Sequence, residues 1–361
     1  MSCFNGTKLN VTLYGKSHAP AVGVVLEGIP GGHAFDMQRV QAFMARRAPG
    51  GKLATARKEP DLPQILSGMA DGVTDGGPIR AEIANTNVRS GDYDNLKYLP
   101  RPGHADYPAR VKFGMDADLR GGGQFSARLT APLCFAGALA LQLLEAKGIE
   151  VGAHLMAVHG VTDDPFDPVD PAQQLHLAAQ KDFPVLNDAA GQAMQAEILA
   201  AKEQLDSVGG IVECAVTGLP AGIGDTLFGG LECRLAPVLW SIPAVKGLEF
   251  GAGFGAAGLM GSQNNDPYYY DENNRVKTRT NCHGGLLGGI TTGMPLVFRM
   301  AFKPTPSIAR PQQTVNLATG QNDTLEVTGR HDPCVALRAV PCVEAAAALA
   351  LLDILLDENL I

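Results

Sequence analysis

Two periodicities take turns along the chain. Short runs rich in β-branched and apolar residues lie at Lys8–Tyr14, Ala21–Glu27 and Ile211–Thr217, the first two joined through a Gly-containing connection, and these predict strands. In Leu296–Phe302, Phe298, Met300 and Phe302 alternate with other residues and so share one face. Helical spacing follows Asp36, a good N-cap type: Met37–Ala48 places Val40, Phe43 and Met44 on one side. Thr130–Lys147 is long and apolar and stops at Gly148, and Asp188–Leu205 is amphipathic. Pro341 stands where a last helix would open before the Ala-rich stretch that runs to Leu356. Strands, helices and Gly-rich turns mix throughout, with no Pro/Ser-rich linker and no fixed-period repeat. The pattern predicts one α+β domain over 1–361, whose sheet order is not readable from it.

Composition narrows the function classes. With 361 residues, 45% hydrophobic and 18% charged, the chain has material for a sizeable core. Its 43 Gly and 24 Pro sit between apolar segments, which fits tight turns better than a disordered tail. A formal net charge of -8 and the lack of a basic stripe argue against a nucleic-acid partner. Seven scattered Cys with no CxxC pair argue against a zinc site or a disulfide framework, and a reducing cytoplasm suits them. No apolar signal-type core follows Met1, and Asp353 interrupts the most membrane-like run, so no membrane partner is expected.

Chemistry is concentrated in a few strings. Gly15–Ala19 puts Ser17 and His18 at a strand-to-turn junction; its Gly-Lys-Ser triplet is not a phosphate loop, since Asn10 stands where the first Gly is required and no helix follows. Arg101-Pro102-Gly103-His104-Ala105-Asp106-Tyr107 turns at Pro-Gly, which brings a carboxylate- or phosphate-binding fork and a proton-transfer side chain to one side. Arg120-Gly121-Gly122-Gly123-Gln124-Phe125-Ser126-Ala127-Arg128 opens the long apolar helix. Arg128 is electrostatically misplaced at a helix start unless an anion faces it. A second Gly-rich run, Gly284–Gly293, precedes a strand that ends in Lys303-Pro304-Thr305-Pro306-Ser307, a candidate phosphate holder or an ordinary surface loop. Arg330-His331-Asp332-Pro333-Cys334 precedes the last helix, where Arg330 and Asp332 either act in a site or pair with other loops. Gly253–Gly258 matches a dinucleotide-binding GxGxxG, but the polar Gly261–Asp266 follows instead of an apolar helix.

Taken in order, GKSHA, RPGHADY, GGG…SAR, SIPAVKG at Ser241–Gly247, GSQNN, GGxxGGxTTG, KPT, RHDPC, and RAVP with Glu344 resemble chorismate synthases over nearly the whole chain. The resemblance implies a β-α-β sandwich with largely antiparallel sheets, a homotetramer, and a 1,4-anti elimination of phosphate from 5-enolpyruvylshikimate 3-phosphate to give chorismate. It implies reduced FMN without net redox change, supplied by an external flavin reductase or other reduced-flavin source. By that resemblance His18 protonates the leaving phosphate, His104 lies by the flavin, and Asp332 works with the flavin on the carbon-6 proton, supported by Ser17 and Ser126. Arg47, Lys52, Arg101 and Arg128 would bind substrate. Gln124, Phe125, Ser126, Ala244, Gly288, Lys303, Pro304, Thr305, Pro306, Ser307 and Arg330 would bind FMN. The chain departs from the family's common forms at Lys16, Ala19, Gln124, Phe125, Pro243 and Pro306. The changes at Gln124 and Phe125 motivate a rival, a non-catalytic relative that binds anionic metabolites; the GxGxxG motivates another, an NAD(P)-dependent oxidoreductase.

Overall fold

The structure is a computed structural model that describes residues 1–48, 53, 60–86, 96–327 and 331–361. The first sheet holds Ser2–Asn5 (β1), Asn10–Gly15 (β2), Ala21–Glu27 (β3), Pro63–Ser67 (β4) and Ile79–Ala84 (β5), in the order β1-β2-β3-β5-β4 with every pair antiparallel. The second holds Glu150–Val158 (β6), Val161–Thr162 (β7), Gly210–Thr217 (β8), Val245–Phe250 (β9) and Leu296–Phe302 (β10), in the order β9-β10-β8-β6-β7, also antiparallel. Alternation decides which faces turn inward. Val22, Val24 and Leu26 of β3, and Leu296, Phe298, Met300 and Phe302 of β10, are all buried in one core.

Helices fill the layer between the sheets. Met37–Arg47 (α1) begins at Asp36, whose carboxylate accepts from the backbone N–H of Gln38 and Arg39, and it buries Val40 and Met44. Asp106–Phe113 (α2) is short. Thr130–Glu145 (α3) packs on the first sheet and on the last helix, Ala336–Asp357 (α4), which also packs on β6 and β8. The α3–α4 crossing is tight: a Cβ placed on Gly137 would lie 2.3 Å from Ala345 Cβ. Residues 120–145 and 336–357 are apolar enough to cross a membrane, yet both are mostly buried within protein.

Pro341 lies inside α4, not at its start, because Ala339 N–H already bonds the Val335 carbonyl. The ring forfeits one helical bond, but nineteen of this helix's residues are buried, and that packing outweighs the local loss. Asp353, deep in the same helix, accepts from the backbone N–H of Thr7, Lys8 and Leu9 and from Arg234. Gly253–Gly258 forms a 3-10 turn after β9, and β9 runs antiparallel to β10, so the parallel crossover a dinucleotide fold requires is missing there.

Candidate active site

A cleft of about 890 Å³ opens where the ends of these elements meet. Its walls come from the end of β2, the end of α1, the loops before α2 and α3, the turn into β9, the segment after β10 and the start of α4. Ser17, Arg47, Arg101, His104, Gln124, Phe125, Ser126, Arg128, Ala244, Lys303, Thr305, Pro306, Ser307 and Asp332 all line it.

His18 is set just behind that wall. Gly121 lines the cleft, and a Cβ on it would meet Ser17 Oγ at 2.7 Å and His18 Cε1 at 3.0 Å. The next glycine, Gly122, faces the other imidazole, with His104 Nε2 3.5 Å from a Cβ placed there. All three glycines have positive φ (59°, 91° and 55°), so the bare turn is a steric requirement that lets both histidines approach one backbone ridge.

The Pro102-Gly103 turn brings Arg101 and His104 together, with Nη2 and Nδ1 3.1 Å apart. Both lean on Asp106 at the start of α2. Arg101 donates to it through Nε at 2.7 Å and Nη2 at 2.8 Å, and His104 Nδ1 lies 2.7 Å from it. Burial pushes the Asp106 carboxyl up, but hydrogen bonds from Arg101 and His104 outweigh that and hold it well below the usual range. An ionised Asp106 makes His104 Nδ1 the donor and turns Nε2 towards the glycines. Burial lowers the His104 pKa, against the pull of Asp106. The third Arg101 nitrogen, Nη1, donates to Ser307 Oγ at 2.9 Å, joining this loop to the segment after β10.

On the opposite wall, Arg128 bonds Asp61 and donates through Nε to Asn85 Oδ1 at 2.8 Å. Asp61 is therefore an anion that Arg128 faces, and it comes from the chain itself. Arg47 Nη1 lies 3.4 Å from the same carboxylate. Arg47 is 2% exposed, and among the described residues its Nε and Nη1 lack hydrogen-bond partners. Burial and the nearby Arg338 push its pKa down. A buried guanidinium with open donors on a cleft is built for an anion. Asn85 also donates to the carbonyls of Lys16 and Ala19, which ties the His18 turn to Arg128.

Asp332 takes a bond from Arg338 Nη1 at 2.6 Å, and its carbonyl accepts from Thr305 Oγ1 at 2.7 Å. Two expected residues, Lys52 and Arg330, lie outside the described residues. Pro304 is not on the cleft wall, although its neighbours are. Gly288 turns a hairpin that precedes β10, whereas Lys303 follows it. Gly288 is not among the residues that line this cleft. Reading along the chain did not single out Asp61, Asn85 or Arg338 as site residues. Asp61 and Asn85 act through partners far away in sequence, and Arg338 joins nearby Asp332 to distant Arg47.

The chorismate synthase family model matches residues 9–356. The chain belongs to the chorismate synthase family. It is 46% identical to the chorismate synthase of Lancefieldella parvula over 362 residues, covering 97% of this chain and 95% of that one. The chorismate synthase of Methanocella arvoryzae is 44% identical over 358 residues, covering 99% of this chain and 95% of the other. A solved structure titled "Crystal Structure of Chorismate Synthase" superposes with a TM-score of 0.76 at 26% identity, covering 98% of this chain and 93% of that one. Chorismate synthases are carbon–oxygen lyases, and the chain is accordingly an enzyme of that class, which sets aside the NAD(P)-dependent and non-catalytic readings.

Proposed function

We propose that residues 1–361 act as one catalytic domain that converts 5-enolpyruvylshikimate 3-phosphate to chorismate and phosphate by 1,4-anti elimination with reduced FMN. The observation that carries this reading is a single cleft lined by a buried guanidinium with open donors, a half-buried imidazole and a carboxylate, with a second imidazole one glycine behind. The substrate carries two carboxylates and a phosphate, and Arg47 and Arg128 meet that charge from a buried wall. The volume, the bare glycine ridge and the Lys303–Ser307 segment fit a large anionic cofactor such as FMN.

In this reading the carbon–oxygen bond to phosphate and the carbon–hydrogen bond at carbon 6 both break, and a new double bond forms. His18 gives its proton to the departing phosphate. Asp332 receives the carbon-6 proton. His104, fixed by Asp106, holds its Nε2 towards the cofactor side of the cleft, and Ser17 and Ser126 support the proton path. Arg101 orients His104 and Ser307 through the bonds described above. The chemistry that reduced FMN supplies when bound is electron density to the breaking carbon–oxygen bond, returned within each turnover. Gln124, Phe125, Ala244, Lys303, Thr305 and Pro306 would hold it, with Lys52 and Arg330 as further cations. Gly288 would serve the cleft of a neighbouring copy in a homotetramer. The enzyme would work in the cytoplasm on flavin reduced by an external source.

The test is anaerobic phosphate release from that substrate with chemically reduced FMN. Phosphate and chorismate should appear in equal amounts while the flavin stays reduced. His18→Ala and His104→Ala should each lower kcat by about 100- to 10,000-fold in a protein with unchanged circular dichroism. Absence of phosphate release from the unsubstituted enzyme defeats the reading.

A further inference from the structure

We infer that Arg338 is the positioning residue for Asp332 and fastens it to the anion-binding wall. The inference rests on the proposed role of Asp332 in carbon-6 proton removal. Arg338 is in the first turn of α4 and lines the same cleft. Its fork makes two bonds in different directions. Nη1 donates to Asp332 Oδ2 at 2.6 Å, and Nε donates to the Arg47 carbonyl at 2.9 Å. That carbonyl is at the C-terminal end of α1, where the last acceptors of a helix lack intrahelical partners and favour a cation. One rigid plane thus joins the carboxylate to the residue with the open guanidinium donors.

The backbone of Asp332 is held separately, because Thr305 Oγ1 donates to its carbonyl. Loss of Arg338 therefore leaves the loop anchored while removing a charge-assisted bond that orients the carboxylate. Lysine cannot replace it fully, since a single ammonium lacks the planar fork that reaches both acceptors at once.

Full-length Arg338→Gln and Arg338→Lys are compared with the unsubstituted enzyme under anaerobic turnover with reduced FMN, using substrate bearing hydrogen or deuterium at carbon 6. Arg338→Gln should lower kcat about 100-fold with KM within about 3-fold. Its carbon-6 isotope effect should rise. Arg338→Lys keeps the charge and should recover part of kcat, but still with a raised isotope effect. Without flavin, the losses in denaturant midpoint from Asp332→Asn and Arg338→Gln should combine to less than their sum, as for two residues in contact. An unaltered isotope effect in both variants, a rise in KM with kcat intact, or additive stability losses would overturn the inference. Should Arg338→Gln not fold, a wild-type isotope effect in Arg338→Lys overturns it alone. Failure of the unsubstituted enzyme to release phosphate is seen first and defeats the reaction instead.

Discussion

Asp106 shows how much of the site depends on one carboxylate. It is 3% exposed and serves both Arg101 and His104. Its folded pKa is depressed, so the stability it contributes is present above the ordinary carboxylate value near pH ~4 and is lost as pH falls below that. Asp106→Asn should cost about 3 kcal/mol at pH 7, the scale for breaking a buried ion pair. The gap to wild type should narrow as pH drops below ~4. Urea midpoints at pH 7 and pH 3 measure this, and a gap that stays constant would show the charge is not the cause. Arg101 and His104 fall within four residues, so their meeting was legible once the Pro-Gly turn was read, whereas Asp106 was not singled out as their shared partner. Asp61 with Arg128, and Arg338 with Arg47, were not legible, because no periodicity couples positions 67 and 291 residues apart. Arg128 had signalled only that some anion must face it, and Asp61 is one such partner.

At the level of elements, the short β-rich runs were readable. Lys8–Tyr14, Ala21–Glu27, Ile211–Thr217 and the alternating Leu296–Phe302 form strands with ends moved by two residues at most, and Asp36 caps α1. The start of α4 was misread because proline rules describe an isolated helix, whereas this one is held by burial along its length. The partner that buries it meets it at Gly137, where helix approach leaves no room for a side chain. Gly137→Ala should force α3 and α4 apart and destabilise by about 1–3 kcal/mol or more, despite the better helix propensity of alanine. Thermal melting decides between the two effects, and a raised Tm would mean that the crossing is looser than described.

For the molecule as a whole, the formal net charge of -8 contrasts with a cleft lined by Arg47, Arg101, Arg128, Lys246, Lys303 and Arg338. An anionic substrate is thus repelled by much of the surface and attracted at one mouth. Raising ionic strength from about 0.01 M to about 0.5 M should lower kcat/KM more than kcat, since screening acts on encounter and binding. Equal losses in both would place the effect in the chemical steps. The clasp between Asp353 and the turn at Thr7–Leu9 has a further consequence, for synthesis on the ribosome. The first hairpin to emerge waits for a helix translated more than 300 residues later. A nascent chain halted before residue 336 has α1 and α3 but lacks α4, so β6 and β8 stay without the helix that packs on them and depend until then on whatever shields their apolar face.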